Sequence, residues 1–330
     1  MLKCQRGTEY HHMRYSHTVA IVLGPKSRFA TTPTITLAIL TLFLLFNLIA
    51  SPVKAESLSQ SKPIRIGITP VILNEKTQFL HEWATYLEAH LAQPVAFVQQ
   101  DSYGKITTPL LKGELDFAWI CGYPYVQHQR LLDLIAIPLY KGKPRYQSYL
   151  IVSNLDIKTH SLLDLKDTVF AYSDPNSNSG YLYAQYSLKK ANKNPESFFK
   201  QTFFTWQHKN TVEAVAIGLA QAGIIDGYIW ETMKKQHHPL IAKTRVAHKS
   251  VTFAFPPVVA SNNVASHLRN KLQHVLLSMD KETQGRRLLK QLNIEGFTPG
   301  TAQLFDDILK MHLFIENREL KTENREHVAP

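Results

Sequence analysis

At 330 residues, with 44% hydrophobic and 19% charged residues, the chain has globular composition and room for two ordinary domains, which excludes a disordered or low-complexity protein. Its formal net charge is +11, but no basic stripe interleaved with aromatics runs along it, so nucleic acid is not an expected partner. Two cysteines, Cys4 and Cys121, cannot build a disulfide framework, and no Cys/His cluster has zinc spacing, so no metal site is expected.

Residues 1–55 read apart from the rest. Scattered basic residues (Lys3, Arg6, Arg14, Lys26, Arg28) precede the uncharged stretch "TITLAILTLFLLFNLIASPV", then Lys54 and Ala55. Val53 and Ala55 are small residues at the positions a signal peptidase reads, which predicts a signal peptide cleaved after Ala55. The alternative is an uncleaved anchor over 34–53, about the 20 residues that span a bilayer. Either way the remainder is exported. The leader carries six Lys/Arg and one Glu, so the remainder falls from +11 to +6, a moderately basic balance that suits an anionic ligand.

After a short polar linker, 56–62, "PIRIGITPV" alternates as a first strand and "EKTQFLHEWATYLEAHLAQ" repeats its apolar residues at helical spacing. "PVAFVQQ" predicts a second strand, "GKITTPLLKGE" a helix, and the apolar run "LDFAWICG", 115–122, a third strand buried on both faces. Cys121 on that run is read as a small core hydrophobe. The pattern restarts with a strand at 145–153, a short helix "SLLDLKD", a strand at 168–173, the helix "YLYAQYSLKKA", the strand "FFTW", a helix over 210–223 and a buried strand "IIDGYIW", 224–230. Asp226 is read as an exposed strand-end residue. "TFAFPPVVASNN" is an extended return segment, because Pro256 and Pro257 bar it from a helix. Two helical patterns close the chain. Alternating strands and helices predict mostly parallel sheets: lobe 1 over 63–148 with 252–300 returning to it, lobe 2 over 149–251, and a C-terminal helix and tail over 301–330.

Between a strand and a helix lies "DPNSNSG", Asp174 to Gly180. One reading is a plain helix cap, since Ser, Asn and Asp accept the first unpaired backbone N–H groups. The other is an anion cradle, in which free N–H groups, the helix dipole and hydroxyls converge on an oxyanion. A calcium loop is excluded, because the glycine comes one place late and Gln185 stands where a bidentate Glu is required.

The ordered set "RIGITPV", "SYGKITTPLLKGELDFAWICGYPYV", "KGKPRYQSYLIVS", "SDPNSNSGYL", "HKNTVEAVAIG", "IIDGYIWE" and "LNIEGFTP" resembles the periplasmic solute-binding proteins of phosphate/phosphonate-type ABC importers, over roughly Pro63 to Phe297. The resemblance implies a type II periplasmic-binding-protein clamshell in the periplasm, a monomer that binds a phosphonate- or phosphate-like oxyanion between its lobes and delivers it to an ABC permease in the inner membrane. It implies that Ser177, Asn178, Ser179 and Gly180 form the anion loop, with Asn178 where threonine is usual, and that Tyr103 reaches the ligand from the opposite lobe. It further implies ligand-side roles for His208 and for Tyr123 in preference to Tyr125. Glu231 falls where the family has an acidic or amide side chain at the cleft; a carboxylate there accepts only from a donor, which points to an amine-bearing or protonated ligand. No cofactor is implied and no catalytic residue is assigned. Two rival readings are a sensory domain for a membrane signalling partner, and a hydrolase using Ser177 or Ser179 with His208 and Asp174, although no G-x-S-x-G elbow is present.

Overall fold

A computed structural model describes residues 62–70 and 77–326, with side chains to 317. The leader, its cleavage point after Ala55 and all of the linker but Lys62 lie outside the described residues. Among the described residues no helix is long and apolar enough to cross a membrane.

The first lobe is opened by β1 (Ile64–Ile68), α1 (Thr77–Leu91), β2 (Val95–Gln99), α2 (Gly104–Leu111) and β3 (Phe117–Trp119), with β1 paired in parallel to both β2 and β3. Helix α1 forms because its apolar residues recur on one face: Phe79, Leu80, Trp83, Tyr86, Leu87 and Leu91 are all buried. Trp83 meets Trp119 edge-on, ring centroids 6.1 Å apart. Each large side chain removed from water in this way contributes about 1.5–3 kcal/mol. Helix α3 (Gly122–His128) and β4 (Leu132–Leu139) follow.

A tight turn at Tyr140–Lys143, with Lys141 and Gly142 at positive φ, carries the chain across to the second lobe. There β5 (Arg145–Ser153), β6 (Val169–Tyr172), α4 (Tyr183–Lys190), α5 (Pro195–Phe198), β7 (Gln201–Phe204), α6 (His208–Ala216), β8 (Ala222–Asp226), α7 (Gly227–Lys235) and β9 (Thr244–Ala254) build a five-stranded sheet, order β7-β6-β8-β5-β9. The second sheet thus takes the whole of β5 from Arg145 rather than from 149. Along β5 alternate residues serve opposite faces, Leu150 and Val152 packing with α4, Tyr149 and Ile151 with α6 and α7. The chain then returns past Pro256 and Pro257, and β10 (Val258–Ser261) inserts antiparallel between β3 and β4. Helices α8 (Ser266–Ser278) and α9 (Thr283–Leu292), strand β11 (Gly296–Thr298) and helix α10 (Asp306–Glu326) complete the chain. The first sheet runs β11-β4-β10-β3-β1-β2.

The result is a two-lobed α/β clamshell. Its return strands make both sheets mixed, where parallel crossovers alone would have made them mostly parallel. Three boundaries differ from expectation and each bears on the site. The strand expected over 115–122 stops at Trp119, leaving Cys121 to cap α3. The helix expected over 210–223 runs from His208 to Ala216. The strand expected over 224–230 ends at Asp226, and Gly227 opens a helix. Gly227 is required there, since a Cβ would stand 2.6 Å from the Tyr149 ring and 2.9 Å from the Gln147 carbonyl oxygen.

Candidate functional site

Strands β6 and β8 end side by side at the cleft, where ligands of such sheets lie. After β6, Asp174 folds the chain back: its Oδ1 accepts from the Asn176 N–H (2.7 Å) and its carbonyl from the Ser177 N–H (2.9 Å). Ser177 Oγ then caps the next turn by accepting from the Gly180 N–H at 3.0 Å. Residues Asn178–Leu182 form a π turn that runs into α4. Ser173 through Ser179 enclose this turn at no more than about 1% exposure for Ser173, Asp174, Ser177, Asn178 and Ser179.

Within the turn the polar atoms divide into two sets. Asn178 donates from Nδ2 to the Tyr146 hydroxyl (3.0 Å), and its N–H points at Cys121 Sγ (3.3 Å). The Ser179 carbonyl accepts from Ser148 Oγ at 2.6 Å. In contrast, Ser173 Oγ, Asn178 Oδ1 and Ser179 Oγ are buried with no partner in full hydrogen-bond geometry, the Tyr146 hydroxyl making only a weaker contact with the Ser179 side chain. Among the described residues only Trp83 Nε1 and Tyr86 OH share that condition. Leaving a buried polar group unpaired costs about 1–3 kcal/mol, so three such atoms on one turn make it the candidate site.

The opposite wall comes from the first lobe. Tyr103 precedes α2 and is 1% exposed; its N–H donates to Asp174 Oδ2 (3.0 Å) and its hydroxyl lies 3.0 Å from His208 Nε2. His208 Nδ1 accepts from the Asp226 N–H at 3.1 Å. A backbone N–H can only donate, so Nδ1 is the bare nitrogen, Nε2 carries the proton, and the Tyr103 hydroxyl accepts it. Its own O–H proton is then available. Burial lowers the His208 pKa to about 3, so the ring is neutral. Asp226 is buried and caps α7 by accepting from the Tyr228 N–H (2.8 Å); burial pushes its carboxyl up to about 8. Burial likewise raises Asp174, and pushes the Cys121 thiol up to about 11. Tyr103 and Cys121 form a small apolar patch with Ile229 of α7, separate from the lobe cores.

Tyr103, Ser177, Asn178, Ser179, Gly180 and His208 therefore meet at one place. Gly180 is obligatory, because a Cβ would fall 1.6 Å from Ser173 Oγ. Glu231 is not brought there: it accepts from the Tyr149 hydroxyl (3.0 Å) and lies 3.9 Å from Lys249, on the α7 face of the second lobe. Tyr123 meets His312 edge-on (ring centroids 5.5 Å apart) and Tyr125 meets Phe305 at a tilt (4.6 Å), both partners in the C-terminal segment. One sequence reading is corrected: Asp226 is a buried cap beside His208, since the helix begins directly after it. Cys121 is the small buried hydrophobe expected, placed just past the end of β3 beside Tyr103. Tyr146, Ser148 and Ser173 belong to the site and carry no local signal. The hydrolase arrangement is not formed: both nitrogens of His208 are taken, by Tyr103 and the Asp226 N–H, and neither serine reaches it.

Residues 66–305 match the family described as "ABC transporter, phosphonate, periplasmic substrate-binding protein". The phosphonates-binding periplasmic protein of Escherichia coli is 26% identical over 300 residues, covering 87% of this chain and 86% of that protein. Among solved structures, a binding protein component of an ABC phosphonate transporter from Pseudomonas aeruginosa superposes with a TM-score of 0.71 at 23% identity, over 79% of this chain and 89% of the other. A Prochlorococcus marinus protein in complex with methylphosphonate gives 0.70 at 20% identity, over 77% and 98%.

Proposed function

This chain belongs to the periplasmic substrate-binding proteins of phosphonate ABC transporters, and we propose from that premise that it holds a phosphonate-class oxyanion between its lobes in the periplasm and hands it to a membrane permease. The observation that supports this reading is the trio of unpaired buried atoms on the Asp174–Gly180 turn. The Ser173 and Ser179 hydroxyls donate to oxyanion oxygens, the spare Tyr103 proton adds a donor from the other lobe, and Asn178 Oδ1 accepts from a protonated oxygen on phosphorus. Both nitrogens of His208 are engaged, by Tyr103 and by the Asp226 N–H, which favours a binding role for the ring over that of a base.

The patch of Tyr103, Cys121 and Ile229 beside the turn suits a hydrogen or short alkyl group on phosphorus. An amine-bearing ligand has less support. Glu231 is engaged by Tyr149 and Lys249, and burial raises the Asp226 carboxyl to about 8, which disfavours its charged form. Thermal unfolding of the exported chain with methylphosphonate, phosphite, phosphate or 2-aminoethylphosphonate tests the reading. A ligand at 100 times its Kd adds about 2.7 kcal/mol of stability. Methylphosphonate and phosphite are expected to shift the transition more than 2-aminoethylphosphonate; no shift with any of the four overturns the proposal.

A further inference from the structure

Helix α10 lies across the boundary between the lobes. Its approach residue Phe305 packs at a tilt on Tyr125 of α3, and Ile308, fully buried, seats against Gly122, where a Cβ would come within 2.6 Å of Ile308 Cδ1. One turn on, His312 meets the Tyr123 ring at 5.5 Å. All of these partners belong to the first lobe. Phe314 instead meets Tyr186 of α4 at 5.2 Å, ring to ring, and the helix also packs on the π turn itself. Leu182, the last residue of that turn, is buried in the same apolar cluster as Phe305, Ile308 and Met311.

The two helices so joined are the ones that bring the walls of the site together. Gly122 opens α3, and the residue before it, Cys121, receives the Asn178 N–H. Tyr186 sits on the helix that grows out of the π turn. Opening the cleft moves α4 away from α3, so one helix cannot keep both contacts. We infer that α10 is an interlobe strap and that Phe314 is a positioning residue for the binding site, acting through Tyr186 to hold the Asn178–Ser179 turn against the first lobe. The consequence for ligand residence rests on the binding function proposed above; the consequence for closure does not.

The test uses the exported chain carrying Phe314→Ala, with Phe314→Leu as the conservative variant, each compared with wild type by thermal unfolding, by small-angle scattering without ligand and by methylphosphonate dissociation kinetics. An aromatic pair of this kind corresponds to about a two- to tenfold effect. Phe314→Ala is expected to enlarge the ligand-free radius of gyration and to speed methylphosphonate release by that factor, with the association rate little changed and Phe314→Leu recovering part of the loss. A residue that only supports the fold would lower the melting temperature and leave both readouts where they were. A folded Phe314→Ala with wild-type radius and release rate overturns the strap. If methylphosphonate fails to bind wild type, the binding function falls, and the ligand-free radius still decides the strap.

Discussion

Ser177 and Ser179 stand two places apart in one turn and have different work. Ser177 Oγ accepts from the Gly180 N–H, whereas Ser179 Oγ is buried without a partner in full hydrogen-bond geometry. Without ligand, Ser177→Ala is therefore expected to cost about 0.5–2 kcal/mol, the usual loss of a cap. Ser179→Ala is expected to be neutral or slightly stabilising, because it removes an unsatisfied buried hydroxyl. Urea denaturation of both variants checks the pair; a larger loss for Ser179→Ala contradicts the assignment. Asp226 carries a second expectation. Its carboxyl is raised by burial from 3.8 to about 8, so the folded chain holds a proton that the unfolded chain releases, and the group's contribution to stability falls as pH rises between about 4 and 8. His208, lowered from 6.5 to about 3, acts in the opposite sense, its contribution fading as pH falls from about 6.5 toward 3. Asp226→Asn keeps a capping side chain, so its advantage over wild type should grow by about 1.4 kcal/mol for each pH unit between about 4 and 8, read by denaturation at pH 5 and pH 8.5. Equal stability at both pH values would contradict the burial of an ionisable Asp226.

At the scale of elements, the strand-to-helix turn was readable because its residues are turn-formers in sequence, and the cap it allowed is formed by Ser177, while the orphan hydroxyls beside it are what the proposed cradle would use. The strand after α6 was readable only in part. "IIDGYIW" is apolar throughout, so periodicity alone does not tell a buried strand from a buried helix start, and Gly227 was the hidden punctuation. That single boundary decides whether Asp226 points to solvent or caps a helix, and whether Glu231 faces the cleft or Tyr149. The strand around Cys121 was drawn too long for the same reason, at the end of another apolar run, while the burial of its thiol was read as it stands. Tyr146 and Ser148 reach the turn from β5, about 30 residues away in sequence, and no local pattern marks a contact set by tertiary packing. The tightness of the π turn predicts its intolerance: Gly180→Ala drives a Cβ to within 1.6 Å of Ser173 Oγ and should cost about 1–3 kcal/mol. Chemical denaturation measures it, and an unchanged midpoint would show that the turn relaxes freely.

For the whole molecule, two flanks hold the lobes together. On one, α10 spans α3 and α4. On the other, Asn293 ends α9 in the left-handed conformation, φ 55°, donates to Thr232 Oγ1 at 2.8 Å and accepts from Lys235 Nζ at 2.6 Å, both residues of α7. Asn293→Gly keeps the backbone conformation and removes the two bonds, so it should enlarge the ligand-free radius of gyration with little loss of fold stability; an unchanged radius would assign closure to the other flank. The alternation of strands and helices made the two lobes legible, while the flanks that close them depend on which helices meet across the cleft and were not. On the proposed function, the Asp174–Gly180 turn grips an oxyanion through Ser179. Isothermal titration of methylphosphonate into wild type, Ser177→Ala and Ser179→Ala, each confirmed folded, tests it most directly. Loss of a hydrogen bond to a charged group costs about 1.5–3 kcal/mol, so Ser179→Ala should weaken Kd roughly ten- to a hundredfold, and wild-type affinity in a folded Ser179→Ala would contradict the account.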